Sequence, residues 1–154
     1  MDLIKIILKI SAMVDFDLTK KRKSPNVPKS VVNAFWKAYN YQPKIDPKLV
    51  VTDRTSYDAV INKDKLIGFT HVFDKDDGLE KISFKPTTWK HPNQIVFKPE
   101  NKDVALAWKW FHTNLGFFDS NDEMDFVRGV LLGYPLEQVG IGFLDQVKEK
   151  LTDN

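Results

Sequence analysis

The chain has no cysteine, which excludes disulfide staples, thiolate metal ligands and thiol nucleophiles together. Histidine is scarce: His71, His91 and His112 stand 20 and 21 residues apart. A zinc site takes three or four ligands, commonly two of them closely spaced, so no metal and no cofactor is expected. No apolar run approaches the ~18 residues of a membrane span. The apolar start, Met1 to Met13, is broken by Asp2, Lys5 and Lys9, unlike the uninterrupted core of a signal peptide. These absences fit a cytoplasmic protein without a membrane partner.

Catalytic signatures are missing too. No serine stands in a Gly-x-Ser-x-Gly elbow, and no glycine-rich loop leads into a Lys-Ser/Thr pair. Gly140-Ile141-Gly142 lacks the third glycine and the preceding strand of a dinucleotide site. In Asp74-Lys75-Asp76-Asp77-Gly78 the glycine comes one place too early for a calcium loop, and the twelfth position is Lys85 instead of glutamate. The carboxylate pairs Asp15/Asp17 and Asp122/Asp125 suit a wet face as well as a site.

What is present is a globular composition: 154 residues, 42% hydrophobic and 29% charged, with eleven Phe, four Trp and four Tyr. That length fits a single domain, 1–154, able to bury a core without staples. Net charge is +2 but uneven: +6 over residues 1–50, neutral over 51–100 and −4 over 101–154.

Alternation over Leu3–Ile10, resuming at Val14–Leu18, predicts a strand or hairpin before a basic loop. Val31, Val32, Phe35, Trp36 and Tyr39 predict a helix, with Pro28 in its first turn and Pro43 beyond its end. Residues 55–62 suggest a short helix. Leu66–Phe73 and Leu79–Lys85 read as a hairpin closed by the Asp77-Gly78 turn, and Ile95–Phe97 as a short strand. Three helices follow. The first carries Val104, Trp108, Phe111 and Leu115, with Gly116 as its cap. The second opens on a Ser120/Glu123 capping box and stops at Gly133. The third runs from Pro135 along Leu136, Val139, Phe143, Val147 and Leu151, so that Gly129 and Gly140 face each other across an αα-hairpin. The expected class is α+β: a small, mainly antiparallel sheet with one N-terminal helix and a C-terminal three-helix segment packed on it.

Three functional readings follow. The leading one is a non-enzymatic binding or inhibitory module acting through a protein partner, of the compact kind that phages and mobile elements encode. A second is a nucleic-acid binder using the basic loop Lys20, Lys21, Arg22 and Lys23 with Trp89, His91 and Trp110, since cations beside aromatics suit phosphates and bases. The third is a small hydrolase or nucleotide-processing enzyme gathering His71 and His91. A solvated loop and tryptophans covering the core edge account for the same residues without a ligand.

Overall fold

The computed structural model describes residues 26–86 and 90–152. The N-terminal strand reading, the basic loop Lys20, Lys21, Arg22 and Lys23, and Trp89 lie outside them. Within them the chain is α+β, with five α-helices and one three-stranded antiparallel sheet among the described residues.

Helix α1, Lys29–Tyr39, buries Val31, Ala34, Phe35 and Ala38, a stripe at i, i+3, i+4 and i+7. Pro28 stands just before the first turn instead of within it, in extended conformation, and no side chain caps the start. Helix α2, Asp53–Ile61, starts earlier than the apolar pattern suggests. Thr52 Oγ1 accepts from the Thr55 amide at 3.1 Å, and Thr55 Oγ1 accepts from the Thr52 amide at 3.1 Å. This is a reciprocal capping box built from two threonines.

The sheet corrects one expectation. Strands β1, Ile67–Phe69, and β2, Glu80–Phe84, do not pair with each other. Strand β3, Asn93–Phe97, lies between them and pairs antiparallel with both, setting Ile67 opposite Phe97 and Ile82 opposite Ile95. Burial explains the order: β3 buries Asn93, Ile95, Val96 and Phe97, so it belongs in the centre, whereas β2 is largely exposed. Asp74–Gly78 still turns the chain, through a 3-10 turn over Lys75–Asp77. It is anchored sideways, by the Tyr57 hydroxyl of α2 bonded to the Asp77 carboxylate, and not by a hairpin partner. Burial first, and that bond second, push the Tyr57 hydroxyl up to about 12.

Helix α3, Lys102–Thr113, buries Val104, Trp108 and Phe111 as expected. It ends at Asn114, so Leu115 and Gly116 fall in a separate 3-10 turn and Gly116 is not its cap. Trp108 Nε1 donates to Asn93 Oδ1 at 3.0 Å and ties α3 to β3. His112 stacks on Trp108 with centroids 4.2 Å apart and donates from Nδ1 to the Trp108 carbonyl at 2.7 Å. Its burial, more than the nearby Arg128, lowers the imidazole pKa to about 4.

Helix α4, Asn121–Leu132, takes its N-cap from Ser120, whose Oγ accepts from the Glu123 amide at 3.1 Å. The return half of the expected capping box is absent. The Glu123 carboxylate turns inward to Lys150 and Gln146 of helix α5, Leu144–Thr152. Gly133 occupies the left-handed position with φ 81° and ends α4 as expected.

The expected helix from Pro135 is broken. Two 3-10 turns, Leu136–Gln138 and Ile141–Phe143, precede α5, and Gly140 between them has φ +88°. A left-handed residue cannot continue an α-helix, so the αα-hairpin contact between Gly129 and Gly140 does not form. Gly129 meets Val139 instead: a Cβ there would lie 2.4 Å from Val139 Cγ1 and 2.7 Å from its Cβ. We expect Gly129→Ala to lower stability by about 1–3 kcal/mol through overpacking, despite the better helix propensity of alanine. Gly142→Ala, with open space around it, should stay within about 0.5 kcal/mol of the parent. Urea unfolding of both checks this; a stabilised Gly129→Ala would contradict the packing.

Candidate functional site

Helix α2 ends in a tight turn. Lys63 takes φ 65°, the Asp64 amide bonds the Ala59 carbonyl at 2.8 Å, and the chain enters β1 directly. That turn drives Lys65, a residue type that is almost never fully buried, to 2% exposure between Asp64 and the core residue Leu66. Its ammonium lies 5.0 Å from the centre of the Tyr134 ring. Tyr134 is set there by Gly133, whose carbonyl accepts from the Ile45 amide at 3.0 Å and whose left-handed backbone carries the chain across the end of α4.

Around this ammonium is a cleft of about 200 Å³. Val50, Val51, Phe69 and Leu132 give it apolar walls, and Thr52, Asp53, Ser56 and Tyr134 supply polar atoms. The Lys65 stem also borders a second cleft of about 210 Å³, among Lys37, Tyr41, Lys63 and Lys98. The ring beneath the ammonium lines the first cleft and not the second.

Among the described residues Lys65 Nζ makes no hydrogen bond and no ion pair. Lys150 is the informative contrast. It is also largely buried, yet it contacts the Glu123 carboxylate, lies 3.0 Å from Asp119 Oδ2 and donates to the Phe117 carbonyl at 2.7 Å. Desolvation alone lowers the Lys65 pKa from its ordinary 10.5 to about 8. At neutral pH the group is still mostly an ammonium, compensated only by a cation–π contact worth about 0.5–2 kcal/mol.

Of the residues singled out from the sequence, the structure describes His71, His91, His112 and Trp110. His71 is exposed; its backbone amide donates to Asp53 Oδ2 at 3.3 Å, and its ring lies 6.2 Å from Phe69. His91 is exposed, and His112 is the buried partner of Trp108. Trp110 is half-buried against the core, edge-on to Phe111 and Phe117 at 5.2 and 6.1 Å. Among the described residues no group of three His, Asp or Glu side chains could hold a metal ion. Also among them, no helix is long and apolar enough to cross a membrane.

Lys65 was not visible as a candidate in the sequence. It sits in Asn62-Lys63-Asp64-Lys65, which reads as an ordinary polar loop, and only the tight end of α2 decides which lysine turns inward.

Compared with known protein families, with curated proteins and with solved structures, the chain matches none.

The charge at Lys65 sets a sign for stability. Between about pH 8 and pH 10.5 the unfolded chain holds a proton that the folded chain has released, so this group makes stability rise with pH there. Below about pH 8 the whole cost is present, on the order of 3 kcal/mol, offset in part by the Tyr134 ring. Lys65→Met keeps much of the volume and a soft contact to the ring. It should be more stable than the parent by about 1–2 kcal/mol at pH 7, with the gap closing towards pH 10.5. Thermal unfolding at both pH values checks this, and a Met variant less stable at pH 7 would reveal an internal partner for the charge.

Proposed function

We propose that this chain is a non-enzymatic binding module acting through contact with a protein partner, and that the partner seats around the Lys65 cleft. One observation carries the reading: apolar side chains left in solvent stand beside a buried cation without a counter-charge. Val51 is 76% exposed and Phe69 41%, both on the rim of the cleft, and Leu49 is 67% exposed two residues before Val51. Scattered exposed leucines are ordinary, but two large exposed apolar groups, Val51 and Phe69, on the rim of one concave polar site are the composition of a docking surface. A buried unpaired charge costs stability, and such costs persist where function needs the group.

An enzyme built on His71 and His91 has no comparable support. Neither ring is bonded to a carboxylate or hydroxyl among the described residues, as a base with an orienting partner would be. A cytoplasmic setting and a phage or mobile-element origin belong to the same proposal, and rest on the lack of cysteine and on small size.

Selection of a random peptide library on the full chain tests this reading. Enriched peptides should bind at least tenfold more weakly to a Val51→Asp/Phe69→Asp variant whose unfolding transition is unchanged. Peptides that bind parent and variant equally would place recognition elsewhere and overturn it.

A further inference from the structure

We propose that the cleft recognises a single carboxylate next to an apolar side chain, as on an acidic or C-terminal residue of the partner, with Lys65 as the cation that receives it. The inference deepens the docking reading above and rests on it. The receiving group is a lysine 2% exposed, fixed by the short link between α2 and β1, with its ammonium over the Tyr134 ring. No acid within the described residues neutralises it, although Asp53 and Asp64 are near in the fold or the chain. An internal carboxylate bonded to Lys65, as Glu123 is to Lys150, would leave the cleft nothing to offer an anion.

Two further donors are available beside the ammonium. Ser56 is buried on α2, and neither its hydroxyl nor that of Tyr134 is engaged by another described residue. An ammonium with hydroxyl donors suits the oxygens of a carboxylate, which accepts several hydrogen bonds and gives charge-assisted ones with cations. The apolar walls, Val50, Val51, Phe69 and Leu132, suit an aliphatic group beside it.

Charge count separates a carboxylate from a phosphate. The cleft holds one cation, and Asp53 lines it as well. A phosphate close to a double negative charge would meet that single cation and be repelled by Asp53. A carboxylate carries one negative charge, is matched one for one by Lys65 and meets about half of that repulsion from Asp53. The ligand also restores what burial removes, because an opposite charge in a dry site favours the ammonium form.

The test uses the full chain and three small probes followed by amide NMR: N-acetyl-leucine, its neutral amide N-acetyl-leucinamide, and inorganic phosphate. N-acetyl-leucine should give saturable shifts at Ser56, Phe69 and Tyr134, with a dissociation constant on the order of 1 mM, ordinary for so small a ligand. The neutral amide should bind at least tenfold more weakly, and Lys65→Met should lose the preference for the acid. Tyr134→Phe, which keeps the ring under the ammonium, should weaken the acid by a few-fold and supplies a second reading if Lys65→Met is perturbed. Equal binding of acid and amide would overturn the proposal, as would displacement of the acid by phosphate at equal concentration, or the absence of shifts at these residues. Library peptides that depend on Val51 and Phe69 yet carry no carboxylate would also overturn it, while leaving the docking surface intact.

Discussion

A lysine only 2% exposed, whose ammonium has no counter-charge among the described residues, is the constraint around which the described structure is arranged. Keeping Lys65 there requires α2 to end in a left-handed turn at Lys63, so that the chain reverses into β1 within a few residues. It requires Gly133 to end α4 in the left-handed region, so that Tyr134 slides its ring beneath the charge. It also requires the segment before α2 to lie across that corner, which the Ile45–Gly133 backbone bond secures. Three parts of the chain far apart in sequence thus meet at one side chain. The apolar rim of Val51 and Phe69 comes from two of the same parts, which is why the cation and the exposed apolar rim are one feature.

Several other buried polar groups are bonded within the fold, and the contrast gives Lys65 its meaning. Asn93 in the central strand accepts from the Trp108 indole, and His112 spends its Nδ1 proton on the Trp108 carbonyl. Glu123 and Lys150 pair across α4 and α5, with Gln146 donating to the same carboxylate at 2.9 Å. Removing one member of such a pair leaves an uncompensated charge, costing about 3–5 kcal/mol. The Trp108–Asn93 bond joins α3 to the sheet and the Glu123–Lys150 pair joins α4 to α5, so both serve the fold. A buried charge that joins nothing is not explained in that way.

Much of the architecture was legible in the sequence because helical periodicity and end signals are local. The Val31–Phe35 stripe, the Val104–Trp108–Phe111 stripe, the Ser120 cap and the Gly133 stop all describe what they specify. The errors arose where a non-local choice overrode a local signal. Asp77-Gly78 is a good hairpin turn, but β3 is the most buried strand and lies between β1 and β2. Leu136, Val139 and Phe143 keep helical spacing, yet Gly140 turns left-handed and divides them between two 3-10 turns. Glu123 is correctly spaced to cap α4, but Lys150, 27 residues on, takes its carboxylate instead. The candidate site was the least legible part. Histidines, tryptophans and basic runs stand out as residue types, whereas Lys65 is distinguished only by burial, and burial of one lysine among several in a polar stretch is decided by tertiary geometry.

The most direct measurement of this account is the titration of Lys65 itself, followed through its side-chain Cε and Nζ resonances in the ligand-free chain. Desolvation without a counter-charge places its pKa at about 8. Addition of N-acetyl-leucine should move it upward, because a bound carboxylate favours the charged form. A value near the ordinary 10.5 in the ligand-free chain would mean that the ammonium is hydrated or already paired, and would contradict the claim that this lysine is held open for a partner.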